Sequence, residues 1–261
     1  MCRPYCRSMW ACLALCVVAL TVQAEDELPP AAEVYLGRTI ARTMHYTGAP
    51  WLVRESRERE EECSTLLKAL TLQPGNTVCD MGCGNGFYSL QMARLVGENG
   101  RVLAVDIQPE MLRLLEARAE TVEIGNIHTI LGTIIDPKLP AGSVDLCLLV
   151  DVYHEFSHPV QMLAAIRRSL QPKGRVALVE FRLEDPDVPI KLLHKMNKTQ
   201  MLKEFEANQF KLVGQFDKLP WQHVMFFARD DSPLPAVEPT DWPIDRTTPA
   251  VEAIETNDAA R

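Results

Sequence analysis

The amino-acid sequence predicts a doubly wound α/β fold: a mostly parallel sheet of seven strands covered by helices on both faces, with an antiparallel last strand and two helices ahead of the first strand. Three observations carry that reading. Short apolar runs alternate with amphipathic segments of helical period, the pattern of repeated strand-helix units. A glycine-rich turn follows the first apolar run. The final two runs are separated by a short stretch holding Leu219-Pro220, close enough for an antiparallel pair.

Ahead of these units, residues 1–24 carry Arg3 and Arg7, an apolar run from Met9 to Val22 and small residues at Val22 and Ala24 before Glu25. This is the layout of a secretory leader, so the expected destination is periplasmic or extracellular, with membrane anchoring if the leader stays uncleaved. The chain has 261 residues and a formal charge of -8. Without the two leader arginines it becomes 25 − 35 = -10. That balance disfavours nucleic-acid phosphate as a partner. Hydrophobic content of 47% with 24% charged residues excludes a disordered or polytopic membrane chain. Four of the eight cysteines fall in the leader. Cys63, Cys79, Cys83 and Cys147 show no CxxC spacing, so no zinc or other metal site and no disulfide framework is expected of them.

Glu33 to Arg42 and Arg54 to Leu70 show apolar residues at helical spacing, with RESREREEE read as a charged outer face. Strands follow at Thr77–Met81, Arg101–Asp106, Ile127–Leu131, Val144–Val150 and Arg175–Phe181. Helices lie between them from Phe87 to Val96, after Pro109 and after Pro159. A helix near Thr199–Ala207 and strands at Lys211–Phe216 and Gln222–Ala228 complete the domain, residues 25–229. Residues 230–261 hold five prolines, eight acids and two arginines, which predicts a disordered acidic tail.

The stretch Thr77-Val-Cys-Asp-Met-Gly-Cys-Gly-Asn-Gly86 ends a strand at Asp80 and passes through Gly82, Cys83, Gly84 and Gly86 into a helix. Glycines there allow a sharp turn and close backbone approach to a ligand. Twenty residues beyond Gly86 the next strand ends in Asp106, the residue type and place to accept hydrogen bonds from ribose hydroxyls. The dinucleotide fingerprint would need glycine at 87, where Phe87 stands, so a nicotinamide-dependent dehydrogenase is disfavoured.

GxGxG directly after an acidic residue resembles the first motif of class I S-adenosylmethionine-dependent methyltransferases, which share a Rossmann-like fold. Ile135-Asp-Pro-Lys-Leu-Pro-Ala-Gly-Ser-Val-Asp145 and Leu170-Gln-Pro-Lys-Gly174 resemble the family's entries to its fourth and fifth strands. The resemblance implies S-adenosyl-L-methionine as cofactor. Asp80 would lie near its ammonium, the loop of Gly82, Cys83, Gly84 and Gly86 around its amino-acid half, and Asp106 on its ribose. It also implies that Ile107 and Met111 pack on the adenine. Where many members carry an acid after the third strand to receive the adenine amino group, Thr133 stands here, and either its hydroxyl or a backbone group is expected to hydrogen-bond the ring. Asp151 is expected to line the pocket.

Acceptor-side groups are expected beyond the fourth strand of the unit, in Val150-Asp-Val-Tyr-His-Glu-Phe-Ser-His-Pro159. His154 and Glu155 offer a base near neutral pH and a carboxylate. Arg182 and His194, in the proline-containing stretch after the fifth strand, are further catalytic candidates, with Tyr46, Trp51 and Arg54 behind them; His223 reads as structural. The expected reaction is methyl transfer to a small-molecule acceptor. A non-catalytic protein binding S-adenosylmethionine or a nucleoside is the alternative.

Overall fold

The computed structural model describes residues 28–242 together with Met1; the leader-like residues 2–27 and the tail residues 243–261 lie outside the described residues. β1 (Val34–Tyr35) and β2 (Arg38–Thr39) form a small antiparallel hairpin, followed by a 3₁₀ segment over Tyr46–Val53. Then come α1 (Arg57–Glu61), α2 (Cys63–Ala69), β3 (Thr77–Met81), α3 (Phe87–Val96), β4 (Arg101–Asp106), α4 (Pro109–Thr121) and β5 (Ile127–Leu131). β6 (Val144–Val150), α5 (Pro159–Ser169), β7 (Leu170–Arg182), β8 (Lys195–Met196), α6 (Lys198–Glu206), β9 (Phe210–Phe216) and β10 (Gln222–Arg229) complete it.

The main sheet runs in the order β5-β4-β3-β6-β7-β10-β9, and the two-residue β8 pairs with the end of β7. β3 to β7 pair in parallel, while β10 is antiparallel to both neighbours. Strand order reverses between β3 and β6, which opens a crevice at their carboxyl ends. Two cores flank the sheet, because successive strand residues point to opposite faces. Cys79, Cys147 and Leu178 pack on one side with Met162 of α5 and Phe205 of α6. Val78, Leu148 and Val179 pack on the other with Leu66 of α2 and Met92 of α3. The four described cysteines are buried and unpaired.

Three expectations are corrected. Instead of a helix from Glu33 to Arg42 there is the β1-β2 hairpin. Its turn places Leu36 and Gly37 at φ 46 and 96, left-handed geometry that reverses the chain and overrides the weak helical period. The helix expected from Arg54 to Leu70 is interrupted at Glu62, at φ 48, which splits it into α1 and α2. The acidic segment is also not free from its start: Asp230 and Asp231 pair with Arg167, Val237 N–H donates to Leu212 O at 3.0 Å, and Trp242 lies over the Arg182 guanidinium. Residues 230–242 thus make contacts with α5, with the edge strand β9 and with the end of β7. Among the described residues no helix is long and apolar enough to cross a membrane.

Candidate functional site

Beyond β3 the backbone of the glycine loop is tied to the end of β4. The N–H groups of Gly82 and Cys83 both donate to Val105 O, at 2.8 and 2.9 Å. Gly84 N–H donates to Asp106 Oδ2 at 2.9 Å, and Gln108 N–H donates to Oδ1 at 2.8 Å. Gly86 sits at φ +80, and a Cβ there would lie 1.9 Å from Leu115 Cδ1, so the turn into α3 requires glycine. Asp80 is buried, and its Oδ2 accepts a hydrogen bond from Ser89 at 2.5 Å. Burial pushes its carboxyl up to about 6, against the pull of Ser89. Asp106 is likewise raised by burial, opposed by its backbone donors at Gln108 and Gly84.

One feature of this pocket contradicts the expected outward face of RESREREEE. Arg57, Glu60 and Glu61 are 4%, 0% and 0% exposed and point inward. Arg57 Nε donates to Glu61 at 2.9 Å and Nη1 to Leu52 O at 2.8 Å; its guanidinium carbon lies 4.4 Å from the Phe87 ring centroid. Burial opposes its charge, and the carboxylate of Glu61 outweighs that, raising its pKa. Arg54 bridges Glu60 and Glu61 and stacks 3.8 Å from the Trp51 ring centroid. The available signal was the i,i+4 spacing of Arg57 and Glu61, but i,i+4 pairs occur on surfaces too.

Asp80 and Arg57 line one small pocket, of about 40 Å³, with Gly82, Cys83, Phe87 and Tyr88. In chemistry, not in present volume, these groups and the neighbouring Asp106 match a nucleoside carrying a zwitterionic amino-acid arm: Asp80 suits an ammonium, Arg57 a carboxylate, and Asp106 a pair of ribose hydroxyls. The segment Tyr46–Val53 crosses over this loop. Asn85 Nδ2 donates to Ala49 O at 2.9 Å, and Tyr46 N–H donates to Gln108 Oε1 at 2.8 Å. Leu52 of this segment lines the pocket, whereas Trp51 packs toward Phe181, Val188 and Trp221 and Arg54 is held by Glu60 and Glu61.

Past β6, the 3₁₀ turn Tyr153–Glu155 places His154 in a buried chain of polar groups. Its Nδ1 lies 2.6 Å from Glu180 Oε2, its backbone N–H donates to Glu180 Oε1 at 3.2 Å, and its Nε2 lies 2.9 Å from His194 Nδ1. Glu155 Oε1 accepts from Met44 N–H at 3.2 Å. Behind these, Glu204 takes Arg38 Nε at 2.7 Å and the Tyr153 hydroxyl at 2.7 Å, while Arg38 Nη1 donates to His154 O at 3.0 Å. Burial works against a charged His154, but the Glu180 carboxylate holds it above the ordinary histidine value. Burial, then the neighbouring His154, push His194 down to about 4. Glu155 is raised to about 7 by burial. Glu180 was not singled out in the sequence; it lies in β7, and only the parallel β6-β7 pairing brings it to His154.

Other sequence candidates stand elsewhere. Arg182 is 1% exposed and donates to the carbonyls of Leu219 (2.5 Å) and Pro220 (2.6 Å), so it ties the β9-β10 connection and does not point to the His154 cluster. Burial lowers its pKa to about 10. Thr133 closes its own turn: its Oγ1 accepts from the N–H groups of Ile135 and Asp136 and donates to Asp136 O, which uses the whole capacity of a hydroxyl. It has none left for an adenine. Asp151, at φ 51, directs Oδ2 to Gln222 Nε2 at 2.8 Å, and burial raises it well above a normal carboxyl; its neighbour Val150 lines the pocket. Ile107 is 38% exposed just beyond Asp106, and Met111 is buried in α4. His223 is buried and pairs with Glu184 at 2.9 Å.

A family model described as a methyltransferase domain matches residues 72–229. Nocamycin O-methyltransferase of Saccharothrix syringae is 34% identical over 113 residues, 43% of this chain and 40% of that protein. Demethylmenaquinone methyltransferase of Listeria welshimeri is 25% identical over 123 residues, 47% of this chain and 51% of that protein. This chain thus spans about half or less of the length of these curated relatives. In fold it is similar to the crystal structure of a SAM-dependent methyltransferase from Aquifex aeolicus, with a TM-score of 0.67 at 22% identity over 71% of this chain and 98% of that one. With the glycine loop, the two strand-end acids and the reversed strand order in place, the matched core shows that the chain belongs to the class I methyltransferase family, whose cofactor is S-adenosylmethionine.

Proposed function

We propose that this protein methylates an acidic hydroxyl of a small, largely apolar molecule. The observation that carries the reading is the adjacency of two sites at the carboxyl ends of β3, β4 and β6: the Asp80 to Asp106 pocket, and the chain Glu180-His154-His194 beside Glu155. Bound S-adenosylmethionine supplies an electrophilic methyl carbon on a sulfonium. The chain's own residues align the acceptor, exclude water and take up a proton. Glu180 accepts from His154 Nδ1, so His154 Nε2 and the His194 ring can pass a proton from the acceptor side toward a buried carboxylate.

A groove of about 370 Å³ opens beside His194, within the range of small-molecule sites. Leu183, Leu192, Leu193 and Met196 supply apolar walls, and Arg38 and Gln200 a polar edge. Leu192 is 73% exposed, so an apolar ligand would cover surface now facing water. The names of the two curated relatives, an O-methyltransferase and a demethylmenaquinone methyltransferase, support a small-molecule acceptor. Export of the mature chain is a reading of residues 1–24, tested by sequencing the N-terminus of protein recovered from cell fractions.

Calorimetric titration with S-adenosylmethionine, followed by an acceptor screen that reads release of S-adenosylhomocysteine, tests the proposal. Saturable binding with turnover on phenolic or enolic acceptors is expected, and turnover is lost in His154→Ala. Folded protein that binds no S-adenosylmethionine overturns it. Binding without turnover on any acceptor favours the non-catalytic alternative.

A further inference from the structure

We propose that His154, Glu155 and His194 form a binding site for a divalent first-row transition-metal ion. Their ligand atoms all lie within 4.8 Å of one another, and the two imidazole nitrogens are 2.9 Å apart. Ligands about 2.0 to 2.2 Å from one ion sit roughly 3 to 3.5 Å apart in tetrahedral or cis octahedral geometry, so small side-chain rotations bring all three into a coordination shell. Two imidazoles and a carboxylate are the donor set of open catalytic zinc and non-haem iron sites. This chemistry selects zinc, iron(II), cobalt or nickel over magnesium or calcium.

Three further observations point to an ion. First, His154 already has the outer contact that ligating histidines use: its Nδ1 is held by the Glu180 carboxylate at 2.6 Å, which leaves Nε2 as the ligand atom. Second, one buried carboxylate, Glu180, and one half-buried carboxylate, Glu155, face two histidines. Among the described residues neither is ion-paired with a lysine or arginine, since Arg38 is spent on Glu204. A dication in the cluster would compensate that charge. Third, the shell is held from behind: His154 O accepts from Arg38 Nη1 and from Ala41 N–H, both at 3.0 Å, and Glu155 is held by Met44 N–H. At 2.9 Å, a hydrogen bond between His154 Nε2 and His194 Nδ1 requires one proton between two nitrogens, and the ion would take that proton's place.

Three protein ligands leave at least one open position, next to the groove formed by Leu192, Leu193 and Met196. With the ion bound, both imidazoles serve as ligands in place of the proton relay, and an acceptor hydroxyl at the open position would release its proton to solvent and become an oxygen nucleophile. That role rests on the methyltransferase reading; the ion site itself does not.

The test is titration of chelator-washed protein with Zn²⁺ by calorimetry and with Co²⁺ by visible absorption, beside a titration of the same sample with S-adenosylmethionine. One equivalent of metal is expected, with the cobalt spectrum of a site of low coordination number. His194→Ala and Glu155→Ala should each weaken binding by more than about 100-fold. Glu180→Gln, one shell out, should weaken it by about 10- to 100-fold. Thermal melts verify that each variant is folded, and Glu155→Gln serves as a milder replacement if Glu155→Ala does not fold. Absence of saturable metal binding by folded protein overturns the proposal, as does binding unchanged in folded His194→Ala. If metal fails while S-adenosylmethionine binds, only this inference falls; if metal binds while S-adenosylmethionine does not, only the methyltransferase reading falls.

Discussion

Replacing Asp106 with alanine is expected to separate two jobs that one carboxylate performs. The side chain is 8% exposed, and each of its oxygens already accepts a backbone N–H, from Gly84 at 2.9 Å and from Gln108 at 2.8 Å. Each oxygen has a lone pair left, enough for the two hydroxyls of a ribose. Charge-assisted hydrogen bonds contribute about 1.5 to 3 kcal/mol each, so losing two weakens S-adenosylmethionine binding by roughly 3 to 6 kcal/mol, about 10² to 10⁴-fold. The same substitution strands two N–H groups, which costs on the order of 1 to 3 kcal/mol for each one that water cannot reach, and it lowers the melting temperature by several degrees. Asp106→Asn keeps one acceptor oxygen but turns its amide NH₂ toward the other backbone N–H, so it is expected to restore little. The assay is calorimetry with S-adenosylmethionine beside thermal unfolding of the free protein. A folded Asp106→Ala protein that binds the cofactor within about threefold of the unchanged chain would refute the assignment of Asp106 to the ribose.

Four further outcomes are expected. Asp80 is ionised only above about pH 6, so S-adenosylmethionine affinity should fall between pH 7.5 and 5.5, and Asp80→Asn should flatten that dependence. In the free protein the sign is opposite, because a raised carboxyl favours the folded state at low pH and this contribution is lost as pH rises through about 6. Gly86→Ala should destabilise by roughly 2 to 4 kcal/mol, from left-handed geometry and the collision with Leu115, as read by denaturant unfolding; a loss under about 0.5 kcal/mol would contradict the glycine requirement. Arg182→Met should destabilise by about 3 kcal/mol or more while leaving cofactor affinity unchanged, because its donors serve only the carbonyls of the β9-β10 connection; a selective loss of turnover in a fully stable protein would contradict that. Burial favours neutral Glu184 and Asp217, but hydrogen bonds to His223 outweigh it and hold both below their ordinary range. Stability should therefore drop as pH falls through their lowered values, and His223→Leu should reduce that acid-side slope in melts taken across pH 3 to 5.

The strand-helix units were legible because they rest on local pattern. Thr77–Met81 and Val144–Val150 are runs buried on both faces, and they appear as β3 and β6 at those bounds. Helices opened by Pro109 and Pro159 start where the sequence places them, since proline fixes the backbone of a first helical turn. The glycine loop was legible for a similar reason: φ +80 at Gly86 is a local requirement that few other residues meet. The region before β3 was not. The turn at Leu36-Gly37 and the inward rotation of Arg57, Glu60 and Glu61 depend on what the rest of the chain presents to them, and a charged helix reads the same whether its partners are water or a pocket.

By itself, then, the sequence determined the order of strands and helices from β3 onward, the glycine turn and the two acids at Asp80 and Asp106, all set by short-range sterics, periodicity and position along the chain. Tertiary structure alone decided which polar side chains meet. His154 and Glu155 come from the turn after β6, Glu180 from β7 and His194 from the turn before β8. Their contact separations of 26 and 40 residues carry no periodic signal. Only the parallel register of β6 on β7 and the return of the chain to β8 bring them within hydrogen-bond distance, whereas Arg182 in the same β7 is turned away to the β9-β10 connection.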